Sequence, residues 1–173
     1  MKKTFIIFLS LVLVSCAKVP SKIIYTDKNV SLEKNNVNVE LIVNCSKNDI
    51  YGLYFYTFCN NFTLVVLNKN IQNIEINWNK SFYIENRQTN GGFLYGGITY
   101  LLRNAPKQND VVLSNRNFSR VIYPINLTEF SSGNWQHREF PLGEIGIYLT
   151  LVIDKKEVEY KLVNQLKKKE EIL

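Results

Sequence analysis

A single histidine, His137, stands among 173 residues. That shortage removes most catalytic arrangements in which an imidazole serves as base beside a nucleophile. There is no Gly-x-Ser-x-Gly elbow, no glycine-rich phosphate cradle and no His-Glu-x-x-His pair. Cysteine is scarce too, and Cys45, Cys59 and His137 do not make the paired spacings of a zinc site. The acidic residues stand mostly alone; where Glu139 and Glu144 flank Pro141-Leu142-Gly143, a turn is the expected role rather than paired-carboxylate chemistry. Nothing calls for a metal or a cofactor, and the expected protein is not an enzyme. Also missing are an apolar run of the roughly 20 residues that a membrane-crossing helix needs and any amphipathic helix of normal length.

What is present begins at the first residue. Met1-Lys2-Lys3 precedes an apolar run dominated by Phe5 to Val14, and Lys18 and Pro20 close it. A basic start, about ten apolar residues and a small residue at the end have the layout of a secretory signal. The residue after Ser15 is a cysteine, and Leu13-Val14-Ser15-Cys16 resembles the lipobox of bacterial lipoproteins. The resemblance covers about the first sixteen residues. It implies that the Cys16 thiol takes a diacylglycerol, that residues 1–15 are cut away, and that the new amino group is acylated. The alternative is a plain secretory signal that ends near a cysteine. Two or three acyl chains, at about 0.8 kcal/mol per buried CH₂, hold a protein at a membrane for long times where one does not. Loss of residues 1–15 leaves 158 residues and lowers the formal charge from +6 to +4, since the leader holds two lysines and no acid. That balance gives no reason to invoke nucleic acid. Ala17 rather than Asp follows Cys16, which by resemblance to the sorting pattern of Gram-negative lipoproteins favours the outer membrane.

The rest of the chain divides by its patterning. Residues 16–36 are polar and read as a lipidated tether, because they offer too little apolar surface to offset the entropy of ordering them. Residues 37–163 read as one β-sandwich domain. Val37, Val39, Leu41 and Val43 point one way, with Asn38, Glu40, Ile42 and Asn44 the other; Phe62, Leu64 and Val66 likewise share a face, as do Ile74, Ile76 and Trp78, the period of half-buried strands. Gly92 to Leu102, kinked at Gly96-Gly97, and Phe118 to Ile125 form a second pair. Ile145 to Ile153 and Val158 to Leu162, around Asp154-Lys155-Lys156, form the clearest hairpin. Short strands between turn clusters indicate an all-β antiparallel sandwich. With Phe62-x-Leu64-x-Val66-x-Asn68 preceding a strand that ends at Trp78, the layout resembles immunoglobulin-like bacterial lipoprotein domains, although Cys45 and Cys59 both precede the tryptophan instead of flanking it. Residues 164–173 read as a charged tail, either solvated or brushing anionic lipid through Lys167-Lys168-Lys169 at about 1 kcal/mol per lysine.

Two readings of Cys45 and Cys59 are open. In an oxidising compartment they can pair and close a loop of about 15 residues, which constrains the unfolded chain by about 3 kcal/mol in the entropy model. Otherwise Cys59, in the apolar run from Tyr54, is a small buried hydrophobe. The loop Asn126 to Arg138 is the expected working surface, since Phe130, Trp135, His137 and Arg138 stand there among Ser, Gly and Asn, a mixture suited to adaptable contact. Trp135 could equally cap one end of the sandwich. A second surface is Tyr83 to Tyr95, with Arg87 and Asn90 between aromatics. The expected function is a non-enzymatic envelope lipoprotein, held at a membrane by its lipid, whose sandwich binds another, unidentified envelope protein as an assembly, surface or exclusion factor. Its competitor is a carrier of a small ligand such as a glycan. A deep aromatic pocket near Trp135 favours the carrier, and a flat exposed apolar patch the protein binder.

Overall fold

The structure, a computed structural model, describes residues 21–26, 29–50 and 54–171, with side chains over 29–46 and 57–168; Leu13 to Cys16 lie outside the described residues. Its strands are β1 (Ser21–Thr26), β2 (Val30–Lys34), β3 (Val37–Ile50), β4 (Tyr54–Asn68), β5 (Ile74–Ile76), β6 (Phe82–Glu85), β7 (Gln88–Thr89), β8 (Phe93–Tyr95), β9 (Asp110–Val112), β10 (Arg116–Pro124), β11 (Thr128–Ser131), β12 (Asn134–His137), β13 (Gly143–Ile153) and β14 (Lys156–Glu171). Three-residue 3-10 turns occupy Trp78–Lys80, Tyr100–Leu102 and Ile125–Leu127. The expected all-β antiparallel sandwich is what these strands build.

One half is made by β2, β3, β4, β10 and β8, in hydrogen-bonded succession. The other is organised on β13, which pairs with β14 along one side and with β6 and then β5 along the other. Strand β1 runs antiparallel to the far end of β14 and meets β4 in parallel at Lys22↔Tyr56, so it joins the two halves. Period two decides what lies between them. Val37, Val39 and Leu41, then Phe62, Leu64 and Val66, face Ile147, Leu149 and Leu151, with Tyr160 and Leu162, all fully buried in one apolar cluster. Gly146 is required where β13 passes β14, because a Cβ there would meet the Leu162 carbonyl and the Val163 Cα. Cys45 and Cys59, facing each other across β3 and β4, are joined as a disulfide just past an irregularity in register at Asn44. Cys59 is also fully buried.

Several boundaries differ from expectation. The segment read as a tether contains β1 and β2. Val30 and Leu32 continue a strand period, and Asn35-Asn36, both at positive φ, make the tight turn that folds β2 onto β3. The segment read as a charged tail is the second half of β14: Leu162, Asn164 and Leu166 stay on the buried face while Gln165 and Lys167 point outward, and β1 supplies the backbone partner through Ser21↔Glu171. The strand expected to reach Trp78 stops at Ile76. Trp78 instead opens a 3-10 turn, locked to β13 where the Ser81 hydroxyl donates to the Asn77 carbonyl (2.7 Å) and accepts the Thr150 N–H (3.1 Å). Only Phe93–Tyr95 of the expected 92–102 strand is extended.

Candidate functional site

The stretch read as a loop from Asn126 to Arg138 is a 3-10 turn followed by a small hairpin, β11 and β12, closed by Ser132-Gly133 at positive φ and lying outside the main sheet. Thr128 faces His137, and Phe130 faces Trp135. Alternation therefore puts Thr128, Phe130, Trp135 and His137 on one face and Glu129, Ser131, Asn134 and Gln136 on the other. Trp135 stands edge-on to Phe130 at 5.2 Å between ring centres, and Tyr100 stacks on Phe130 at 5.0 Å. The Arg103 guanidinium lies 4.4 Å from the centre of the Tyr100 ring. This cluster is wet: Tyr100 is 42% exposed, Leu101 89%, Leu102 57% and Phe130 40%.

Beside the ring cluster is a cleft of about 150 Å³ lined by Leu94, Tyr95, Ile98, Tyr123, Trp135 and His137, with Gly96 and Gly97 between β8 and Ile98. A Cβ at either glycine would meet nothing within 4 Å, so that side of the cleft stays open. Its walls are braced from behind. Tyr95 lies against Trp78 at 5.0 Å and under the Arg120 guanidinium at 4.4 Å. Arg120 and the Trp78 indole N–H both reach Asp110 Oδ2, at 2.8 and 2.7 Å. Burial, and secondarily the Asp110 carboxylate, raises the Tyr95 pKa. Tyr123 stacks on His137 with ring centres 3.8 Å apart. Burial lowers the His137 pKa below 6.5, which keeps the imidazole neutral at pH 7.

Phe130, Trp135 and His137 thus meet on one face. Arg138, nominated with them, has another role: its guanidinium donates to the Asn126 carbonyl at 2.5 Å and lies 3.3 Å from Glu129 Oε1, clipping the base of the hairpin. Arg87 is elsewhere, at the turn between β6 and β7, with its Nε 3.8 Å from Glu144. The second surface, Tyr83 to Tyr95, is not a surface at its start. Tyr83 is buried against Phe62 and Phe140, and burial raises its phenol pKa far above the usual range. The sequence reading missed Tyr100, Leu101, Leu102 and Tyr123. Gly96-Gly97 on one side and Pro106 on the other were the available signals that the chain between them leaves the sheet. Among the described residues no group of three or more His, Cys, Asp or Glu is placed to hold a metal ion.

No protein-family model matches the chain, and no curated protein matches it. Among solved structures, the crystal structure of chicken MD-1 complexed with lipid IVa is similar to it at 12% sequence identity, over 80% of this chain and 94% of that chain, with a TM-score of 0.26. A likeness of that degree carries no argument about ligand or function.

Proposed function

We propose that the chain is a non-enzymatic envelope lipoprotein, anchored through Cys16, that binds another protein by the exposed apolar patch of Tyr100, Leu101, Leu102 and Phe130. The observation that supports this is the patch itself. Four large apolar side chains, between 40% and 89% exposed, sit on a 3-10 turn and a hairpin, with the Arg103 guanidinium over the Tyr100 ring beside them. Contiguous exposed apolar surface with a charged rim is the usual mark of a contact site on a water-soluble domain. The neighbouring cleft, at about 150 Å³, is smaller than the roughly 300–1,000 Å³ of sites that enclose a whole small ligand. The aromatic walls of that cleft favour the carrier as the second reading, but its size suits one ring rather than a glycan.

One experiment tests both halves of the proposal. Wild type, Cys16→Ser and Leu101→Asp are expressed with a fatty-acid analogue, crosslinked in cells, and their bound proteins recovered. Cys16→Ser should lose the label. Leu101→Asp should keep the label, fold normally because the side chain is solvent-facing, and lose the crosslinked species. Labelled Cys16→Ser protein would refute the anchor, and unchanged crosslinks in Leu101→Asp would refute the patch.

A further inference from the structure

The hydrogen bonds behind His137 fix which of its nitrogens carries the proton. The Thr128 hydroxyl is buried and has one hydrogen to give. Pro124 O, 2.9 Å from Thr128 Oγ1, can only accept, and His137 Nδ1 lies 3.1 Å from the same oxygen. With the hydroxyl proton committed to the carbonyl, Nδ1 must be the donor. Neutral imidazole has one N–H, so Nε2 holds a lone pair. Among the described residues Nε2 has no hydrogen-bond partner. Nδ1 is held by Thr128 and Tyr123 covers a face of the ring, which leaves the Nε2 edge free to meet a guest in the cleft that His137 lines.

Resting on the protein-binding reading above, we propose that the cleft beside the patch seats a tyrosine side chain of the partner, whose hydroxyl donates to His137 Nε2. A volume of about 150 Å³ accommodates a benzene-sized ring, and the cleft offers that volume with its glycine side open. The lining of Leu94, Tyr95, Ile98, Tyr123 and Trp135 selects an aromatic or aliphatic body over a polar one. The acceptor then selects within the apolar set. A phenylalanine or leucine would cover Nε2 and leave it dry and unpaired, which costs more than leaving it in water. Phenol combines one ring with one O–H donor, and matches both walls and acceptor.

The single histidine makes the test unambiguous, because every imidazole signal belongs to His137. The full chain, labelled with ¹⁵N and held at pH 8, is titrated with p-cresol, with toluene, and with the peptides Gly-Gly-Tyr-Gly-Gly and Gly-Gly-Phe-Gly-Gly. Without ligand, long-range ¹H–¹⁵N spectra should show the Nδ1–H tautomer. p-Cresol should move the Nε2 resonance and bind roughly two- to tenfold more tightly than toluene, the range that one net hydrogen bond provides. The tyrosyl peptide should shift the same signals, and the phenylalanyl peptide should bind correspondingly more weakly. In His137→Phe, p-cresol and toluene should bind alike. An Nε2–H tautomer, equal affinities in wild type, no binding at all, or binding of p-cresol without the tyrosyl peptide would each overturn the proposal. These titrations contain no partner, so their failure leaves the patch to be judged by the Leu101→Asp crosslinks, and failure there leaves the occupancy of the cleft as measured.

Discussion

The two hairpins β13–β14 and β11–β12 are built by the same local rules and end in opposite situations. Each reverses through two residues at positive φ, Asp154-Lys155 in one and Ser132-Gly133 in the other. Each places bulky side chains on one face by alternation. In β13, however, Ile147, Leu149 and Leu151 are covered by the opposite half of the sandwich and fully buried, while in the small hairpin Phe130 is 40% exposed and its neighbours are other surface rings. The contrast shows that an apolar face is not by itself core. It becomes core when a second layer lies over it; the small hairpin shares no backbone ladder with the main sheet, is held to the end of β10 through Thr128 on the Pro124 carbonyl, and has Tyr100 and the cleft wall beside it. The same kind of apolar face then serves stability in one place and is available for contact in the other.

The largest effect that breaks this comparison is a charge in each hairpin. Leu149→Asp puts a carboxylate where no partner or water reaches it. A buried unpaired charge costs at least about 4 kcal/mol, a large part of the roughly 5–15 kcal/mol that holds a domain together. The variant should be insoluble or degraded. Phe130→Asp, at a position already in contact with water, should lower stability by about 1 kcal/mol or less. Soluble yield reads the first variant and urea unfolding against wild type the second, and a Phe130→Asp protein that is likewise insoluble or degraded would mean that the small hairpin is core after all.

A middle-sized effect sharpens it at Trp135, which the sequence left between structural cap and contact residue. The ring touches Phe130 and Tyr100 and lines the cleft, and it is not among the buried core. Trp135→Ala should therefore lower the melting temperature by only about 2–3 °C, the shift expected for about 1 kcal/mol in a domain of this length. Capture of the partner should fall by about thirtyfold, which is what removal of an aromatic anchor worth about 2 kcal/mol produces. A drop of several degrees with capture unchanged would assign the ring to scaffold.

Much of this was legible because it depends on period two. The faces Phe62-Leu64-Val66 and Ile147-Leu149-Leu151 are read from alternation and are buried as read. Phe130, Trp135 and His137 were legible as a group because aromatics among Ser, Gly and Asn rarely belong to a core. What was not legible depends on partners far along the chain. Residues 21–26 look like a tether until β14 is known to run alongside them, and the lysines after Gln165 look like a tail for the same reason. Tyr100 and Leu101 look like the end of a strand, since Gly96-Gly97 and Pro106 mark a break in the sheet but not which side chains stay uncovered. Arg138 reads as part of the same contact mixture, but the carbonyl of Asn126 and the carboxylate of Glu129 that claim it are brought there by the hairpin itself.

The smallest effect concerns pH, and it again separates the hairpins, because the chain's one histidine lies in the small one. Burial lowers the folded pKa of His137 below its unfolded value of 6.5. Above pH 6.5 the imidazole is neutral in both states, and its contribution to stability is fully present. As the pH falls below 6.5 the unfolded chain takes up a proton before the folded one does, so stability declines through the folded pKa and then levels off. Desolvation of the partly buried ring, which disfavours the charged imidazolium, is the physical origin of the resistance. Urea midpoints measured from pH 7.5 to pH 5, a range kept above the ordinary carboxyl pKa values near 4, should fall in wild type by a small amount. They should fall less in His137→Phe, which has no proton to take up there. Identical slopes in the two proteins would show that His137 is solvated as freely in the fold as out of it. The lone pair assigned to Nε2 would then face water instead of a binding cleft.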